Sequence, residues 1–155
     1  MLFSEQTYKF MFAALQEAEK ALNENEVPIG AVIVYQDKII ARGYNQTERL
    51  KDATAHAEMI AITAASNYLQ NWRLNECDLY VTAEPCIMCT GAILLSRIKN
   101  IYFGTYEPKF GACGSLFNLI ESNKYNFKPN VYSGIYADES KNLLEKFFQS
   151  KRNST

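Results

Sequence analysis

The sequence predicts an α/β fold, a three-layer arrangement in which a mixed five-stranded sheet lies between helices on both of its faces. Segments with apolar residues at helical spacing alternate along the chain with short apolar runs that are typical of strands. The middle of the chain runs strand, helix, strand, an order that favours a parallel pair with a crossover helix. The 155 residues, of which 48% are hydrophobic, suffice for one core, so we expect a single domain over residues 1–155.

The first twenty or so residues predict an amphipathic helix. Ser4 stands where an N-cap is expected, because its hydroxyl can accept a hydrogen bond from a free backbone N–H of the first turn. The predicted apolar stripe, spaced as on one helix face, consists of Tyr8, Phe12, Leu15, Ala18 and Leu22. We expect this stripe to cover one face of the sheet.

The remaining helices and strands follow in order. Residues 31–35 and 38–44 predict an antiparallel hairpin that turns at residues 36–37. The later predicted elements are a helix over 56–68, a strand over 78–82, a helix over 86–96, strands over 100–104 and 130–135, and a helix over 138–149. Residues 105–115 are rich in Gly and Pro and follow a predicted strand, where open α/β sheets commonly place their sites.

Charge and composition restrict the class of protein. The net charge of -1, from 16 basic and 17 acidic side chains, gives no overall positive field, so any contact with nucleic acid must come from local patches. The N-terminal residues do not resemble a signal peptide, and no stretch approaches the roughly 20 apolar residues of a membrane span. We therefore expect a soluble, cytoplasmic protein without a membrane partner. In that compartment its four cysteines favour metal binding or catalysis over disulfides.

The chemistry of the chain is concentrated in two short segments. One is His56-Ala57-Glu58, and the other, thirty residues after His56, is Pro85-Cys86-Ile87-Met88-Cys89. Together they fit H-x-E followed by P-C-x-x-C, the known signature of zinc-dependent nucleobase deaminases. Two thiolates and one neutral imidazole fill three positions of a tetrahedral zinc site and leave the fourth open, which is typical of catalytic zinc. We predict one Zn²⁺ per subunit, bound by His56, Cys86 and Cys89.

Helix geometry constrains the first segment. Residues two apart on a regular helix point about 200° away from each other, so His56 and Glu58 cannot both face a metal from the middle of a helix. We predict that His56 lies at the irregular start of its helix and Glu58 in the first turn. Asp52, Thr54 or nearby backbone would complete the cap.

The second segment is predicted to begin another helix. If Cys86 opens a helix just after Pro85, Cys89 lies on the same face, and the free N–H groups of the helix start favour both thiolates. Two helix N-termini then meet at one point. Glu84, directly before Pro85, is expected to hold local backbone, or groups that contact the metal ligands, rather than to act chemically.

The predicted reaction is a hydrolytic deamination. Zinc lowers the pKa of its bound water, to about 7 in catalytic sites, and so creates a zinc-bound hydroxide. Glu58 would accept the water proton, pass it to the ring nitrogen and help to protonate the departing amine. His56 is the single histidine, so neither a His-His-carboxylate zinc site nor a Ser-His-Asp triad can form within one subunit.

The zinc segments resemble those of the cytidine-deaminase-like superfamily. Over nearly its full length the chain resembles the bacterial tRNA adenosine deaminases. The matching stretches are residues 26–32 (EVPIGAV), 43–45 (GYN), 52–58 (DATAHAE), 79–89 (LYVTAEPCIMC), 96–98 (SRI) and 109–115. The resemblance implies the cytidine-deaminase-like fold and a homodimer that converts the wobble adenosine of a tRNA anticodon stem-loop to inosine.

The resemblance also implies a substrate pocket, carried over by position. Asn45 should hydrogen-bond the flipped nucleoside, while Val27, Ile29 and the Ala57 backbone line or orient the base. Core packing is an equal interpretation for Val27 and Ile29.

Four further residues are candidate RNA contacts: Glu107, Lys109, Lys151 and Arg152. Lys109 is the best of them, although a solvated loop lysine is an equal interpretation, and a basic C-terminus is more often merely solvated. Glu107 stands where the family usually carries Asp, and Phe110 where a smaller residue is common. Both departures affect the loop that faces RNA and leave the zinc chemistry unchanged.

Three other functions fit parts of the pattern. A free-base or nucleoside deaminase, acting on guanine or cytosine, would use the same metal site with a closed pocket. A silent partner subunit with structural zinc would lack the acid/base residue, which Glu58 supplies here. A binding module without catalysis should show a basic, aromatic-lined surface, which the overall acidity disfavours.

Overall fold

One mixed sheet organises the protein. In the computed structural model, which describes residues 2–153, the strands lie in the order β2-β1-β3-β4-β5. In chain order the elements are α1 Glu5–Asn23, β1 Gly30–Tyr35, β2 Lys38–Tyr44, α2 Thr47–Leu50, α3 Ala57–Leu69, β3 Cys77–Ala83, α4 Ile87–Ser96, β4 Asn100–Thr105, α5 Leu119–Ser122, β5 Asn130–Tyr132 and α6 Ala137–Asn153.

The strand pairing has both of the predicted features. β1 is antiparallel to β2 and to β3, whereas β4 is parallel to β3 and to β5. Gln36 and Asp37 have φ of 50° and 62°, the left-handed values of a tight hairpin turn. The predicted hairpin, the parallel pair around α4 and the mixed five-stranded sheet are therefore confirmed.

Alternation along the strands divides the core between the two faces of the sheet. Ile33, Leu79 and Phe103 belong to one buried cluster, beneath α3 and α4. Val32 and Tyr80 belong to the other, together with residues of α1. Successive residues of a strand point to opposite faces, so each central strand supplies both layers. The helices on both faces follow from this.

Helix α1 begins as predicted but presents a different face. The Ser4 hydroxyl accepts a hydrogen bond from the Thr7 N–H at 3.1 Å, which confirms the cap. The predicted stripe is wrong at Phe12, which is 53% exposed, but Leu15 and Ala18 are buried as predicted. Tyr8 is half-buried against the core of this face, and Leu22 is half-buried. The buried face contains Phe10, Met11, Ala14, Ala18 and Ala21. Its alanines let the helix backbone come close to β1, where a Cβ atom at Gly30 would overlap the Ala14 carbonyl oxygen.

The C-terminal elements differ in length from the prediction. β5 ends at Tyr132 rather than at residue 135, because Gly134 takes a φ of 91° and donates its N–H to the Gly104 carbonyl. Helix α6 is longer than predicted, and the short helices α2 and α5 were not predicted. Among the described residues no helix is both long and apolar enough to cross a membrane.

Candidate active site

The two sequence segments meet at the starts of two helices. His56 is the N-cap of α3, with φ and ψ of -82° and 154°, and Cys86 is the N-cap of α4, with -75° and 178°. Both residues have extended backbone, so each side chain leaves the chain before the helix becomes regular. Glu58 lies in the first turn of α3, as predicted. The Asp52 carboxylate accepts hydrogen bonds from the N–H and the hydroxyl of Thr54 and so shapes the turn before His56.

His56, Cys86 and Cys89 form a compact group of donor atoms, which we call the metal group. The His56 Nδ1 lies 3.6 Å from the Sγ of Cys86 and 3.6 Å from the Sγ of Cys89, and all three atoms lie within 4.8 Å of one another. Tetrahedral zinc with its usual bonds to nitrogen and sulfur holds such atoms about 3.5 Å apart. The donor set and its spacing therefore fit one zinc ion.

Hydrogen bonds and charge favour a thiolate in the metal group. A hydrogen bond from Cys89 and a second from His56 lower the pKa of Cys86 to about 4, and the backbone N–H of Cys89 acts in the same direction. The hydrogen bond to Cys86 likewise raises the pKa of His56. These hydrogen bonds stabilise the negative charge that a zinc ligand needs on Cys86, whereas the hydrogen bond to Cys86 and burial raise the pKa of Cys89.

Glu58 lies beside the metal group and is almost completely buried. Only 4% of its surface is exposed. Burial raises the pKa of this carboxyl group to about 7, and its neighbours include the Cys89 thiol and Cys86. A carboxyl group of this kind can accept and return a proton near neutral pH, as a general base and acid must.

The predicted pocket residues lie at the same end of the sheet. The backbone N–H of Asn45 donates to the Ile29 carbonyl at 3.1 Å, which brings the segment before β1 against the segment after β2. The next N–H, of Gln46, donates to the Ala55 carbonyl at 2.9 Å, directly before His56. Asn45 is buried. Val27 and Ile29 are half-buried, and Ala57 is fully buried at the start of α3.

A glycine permits this close approach. A Cβ atom at Gly43 would overlap the Ala57 carbonyl oxygen. Because Gly43 has no side chain, the end of β2 packs directly on the first turn of α3. Asn45 is thereby held close to the residues that flank His56.

Residues 106–117 form a loop, called the 106–117 loop below. It lies next to the metal group, on the side away from Asn45. Gly111 forms a β-bridge with Cys86, and the Ala112 N–H donates to the Pro85 carbonyl at 2.8 Å. Lys109 and Phe110 are exposed on this loop, and Glu107 is half-buried. Both family departures predicted from the sequence therefore lie in one loop beside the Cys86 end of the site.

Lys151 and Arg152 lie on the last turn of α6. The helix begins next to Gly104, where Ser140 packs, and its last turn lies roughly 20 Å further along the axis at 1.5 Å per residue. The Lys151 ammonium is 5.4 Å from the Phe147 ring centre. An RNA contact of these two residues stays a prediction.

Sequence analysis missed the role of Glu26. This buried carboxylate accepts hydrogen bonds from the N–H groups of Glu48 at 3.0 Å and Arg49 at 2.7 Å, and so holds the short helix α2. The partners follow Glu26 by 22 and 23 residues. Since α2 itself was not predicted, no local pattern could have found this contact.

Comparisons of the sequence and of the structure with known proteins identify the same family. The family model for the cytidine and deoxycytidylate deaminase zinc-binding region matches residues 4–105. The tRNA-specific adenosine deaminase of Bacillus subtilis is 44% identical over 143 residues, which cover 92% of this chain and 89% of that protein. The tRNA-specific adenosine deaminase of Streptococcus pyogenes serotype M18 is 45% identical over 148 residues, covering 96% of this chain and 92% of that protein.

A solved structure is similar over most of the molecule. It comes from studies of A-to-I editing by tRNA:A34 deaminases at the wobble position of transfer RNA. Its TM-score to this chain is 0.85, with 45% identity, covering 88% of this chain and 99% of that one. The predicted cytidine-deaminase-like fold is confirmed, and the zinc-binding family model agrees with the geometry of the metal group.

Proposed function

Since this chain belongs to the cytidine and deoxycytidylate deaminase zinc-binding family, we propose that it is a zinc-dependent hydrolase that converts the wobble adenosine of a tRNA anticodon loop to inosine. The observation that carries the proposal is a complete metal group beside the buried Glu58 carboxyl group. The choice of tRNA rests on relatives 44% and 45% identical over more than nine-tenths of the chain, which are tRNA-specific adenosine deaminases.

Four residues are assigned to the chemical step. His56, Cys86 and Cys89 are the residues that would hold the zinc. When bound there, zinc supplies Lewis-acid chemistry and makes water nucleophilic at neutral pH. Glu58 takes a proton from the attacking water and gives it to the ring nitrogen of the base. It then helps to protonate the leaving amine, so the products are an oxo base and ammonia. A pKa of about 7, caused by burial, suits both roles.

Substrate contacts are assigned to both sides of the metal group. Asn45 hydrogen-bonds the flipped nucleoside, while Val27, Ile29 and the Ala57 backbone line or orient the base. On the other side Glu107 and Lys109 contact the RNA, and Lys151 and Arg152 at the end of α6 bind phosphates. The support is the common location of Asn45 and Ile29 and the exposure of Lys109.

The active form is a homodimer of this single domain, residues 1–155, and it works in the cytoplasm on the anticodon stem-loop. The exposed side of α4 supports a dimer. Ile87 is 54% exposed and Leu95 60% exposed, and both lie in line with Gly91 at helical spacing. Sedimentation of the zinc-loaded protein should give a dimer, and Leu95→Lys should give a monomer. Phe12→Lys, on the exposed side of α1, is the matched control and should stay dimeric.

The function is tested by ammonia release from defined substrates. Zinc-loaded protein is given an anticodon stem-loop with a wobble adenosine and, separately, free adenine, adenosine, guanine, cytosine and cytidine. We expect turnover of the stem-loop alone, with inosine in the product. A stem-loop with guanosine at the wobble position serves as the control and should release no ammonia. Turnover of a free base or nucleoside alone would replace the proposal with a role in nucleotide salvage.

A further inference from the structure

The 106–117 loop is not held by burial of its large apolar side chains. The exposed fractions of Tyr106, Phe110, Leu116 and Phe117 range from 48% to 66%. Hydrophobic packing stabilises a loop only through the apolar surface that it removes from water. Apart from the small residues Ala112 and Cys113, which are buried, the loop therefore depends largely on polar contacts for its defined shape.

Beside the backbone hydrogen bonds of the loop, four of its polar contacts converge on one side chain, Glu84. This residue follows β3 and is 4% exposed. One carboxylate oxygen accepts from the Glu107 N–H at 3.0 Å and from the Ser115 hydroxyl. The other accepts from the N–H groups of Cys113 at 3.0 Å and Ser115 at 2.9 Å. A carboxylate offers roughly four acceptor positions, and four donors from the loop fill them.

The loop is shaped around this carboxylate. A Cβ atom at Gly111 would overlap the carboxyl group of Glu84, so any side chain at this position would displace the carboxylate. Gly111 also forms the bridge to Cys86, two residues beyond Glu84. The same short stretch thus provides a zinc ligand and the residue that holds the neighbouring loop.

We infer that Glu84 is a positioning residue, which holds the 106–117 loop in the one conformation that binds the RNA next to the zinc site. The inference rests on the proposed function for the identity of the substrate. Glu84 is outside the metal group and acts through the loop. Its loss should weaken RNA binding more than it slows the chemical step, because the hydrogen bonds of its carboxylate go to the loop and not to the metal group or Glu58.

The test compares Glu84→Gln with the wild-type protein, both zinc-loaded. An amide group cannot accept at both ends, so at least one backbone N–H of the loop loses its partner. Hydrogen exchange at the amides of Glu107, Cys113 and Ser115 should become about tenfold faster or more, while the amides of α4 stay protected. The KM for the stem-loop should rise about tenfold, with kcat within about threefold of wild type. Zinc content should remain at one per subunit.

Two further variants separate positioning from general stability. Ser115→Ala removes one of the four donors at an exposed residue and should give a smaller change in the same direction. Glu26→Gln is the matched control, since it also alters a buried carboxylate that accepts backbone N–H groups. It should speed exchange at Glu48 and Arg49 and leave the amides of the 106–117 loop unchanged.

Three results would overturn the inference. One is unchanged exchange and KM in Glu84→Gln, and another is loss of zinc or of protection throughout α4, which would make Glu84 a general stability residue. The third is a fall in kcat with KM unchanged. Exchange is read without substrate, so a wild-type protein that does not act on the stem-loop refutes the proposed function and still leaves the role of Glu84 in the loop measurable.

Discussion

The metal group and the 106–117 loop lie side by side, yet they are built by different means. The metal group consists of residues at the starts of α3 and α4, where the N-cap conformation itself directs the side chains. The loop is held in large part by Glu84, whose partners lie 23 to 31 residues further along the chain. Both regions join segments about 30 residues apart, but they differ in what directs the side chains: the start of a helix directs the ligands of the metal group, whereas one buried carboxylate gathers the donors of the loop.

This difference predicts two kinds of response to mutation. A metal site with three protein ligands loses its ion when one ligand is removed. Substitution of any ligand of the metal group should therefore abolish both zinc binding and activity. A loop held by four hydrogen bonds should weaken by degrees, because each bond contributes only about 1 kcal/mol net. The predictions below test this contrast, beginning with the largest effect.

Cys86→Ala should remove zinc and all measurable turnover. Cys86 supplies one of the three protein ligands and is the thiolate whose pKa the start of α4 lowers. Zinc is measured by atomic absorption after dialysis, and activity by inosine formation. Cys77→Ala is the matched control, because Cys77 is buried but outside the metal group. It should retain zinc and lose only about 1 kcal/mol or slightly more of the free energy of unfolding. A zinc-free but active Cys86→Ala protein would refute the site.

Glu58→Ala should retain zinc and the fold but lose about 10²- to 10⁴-fold in kcat, the usual worth of general acid–base catalysis. Glu58→Gln keeps the size of the side chain and should lose a similar amount, since the amide cannot carry the proton. Because Glu58 is buried next to Cys89, the alanine variant should be compared at equal zinc content. Full activity of either zinc-loaded variant would contradict the proton-transfer role.

Gly111→Ala should act on the loop through Glu84. The added methyl group overlaps the Glu84 carboxyl group, so we expect a loss of about 1 to 3 kcal/mol in the free energy of unfolding. Because the two residues are in contact, the losses of Gly111→Ala and Glu84→Gln should not add in the double variant. Thermal unfolding of the zinc-loaded single and double variants measures this coupling. Strict additivity would show that the two positions act independently.

Lys109→Ala should have the smallest effect, a rise of about two- to fivefold in KM for the stem-loop, as expected for one exposed charge contact. The KM of this variant should also depend less strongly on salt concentration, because a protein with one phosphate contact fewer displaces fewer counterions from the RNA. Lys151→Ala removes the same charge at the far end of α6 and is the natural comparison. A larger effect at Lys151 than at Lys109 would indicate that the RNA binds mainly at α6 rather than at the loop.

Most of the fold could be predicted because its signals are local. Period-two runs identified the hairpin and the central strands, and the strand, helix, strand order identified the parallel pair. The prediction for α1 was wrong at Phe12. Two neighbouring stripes of apolar residues on this helix both have helical spacing, and only contact with the sheet decides which of them is buried. The predicted end of β5 was wrong because the Gly134 N–H donates a hydrogen bond to the Gly104 carbonyl outside the strand. No local sequence pattern predicts that contact.

The candidate site divides in the same way. The sequence by itself was enough to predict the donor atoms of the metal group, the helix starts at His56 and Cys86, and Glu58 as the proposed proton carrier, since a known signature names the residues and helix geometry within each segment orients them. Only the tertiary structure decided that Glu26 and Glu84 hold the segments on the two sides of the site. A buried carboxylate must find its donors wherever the fold brings backbone N–H groups within reach, and that depends on distances through space rather than along the chain.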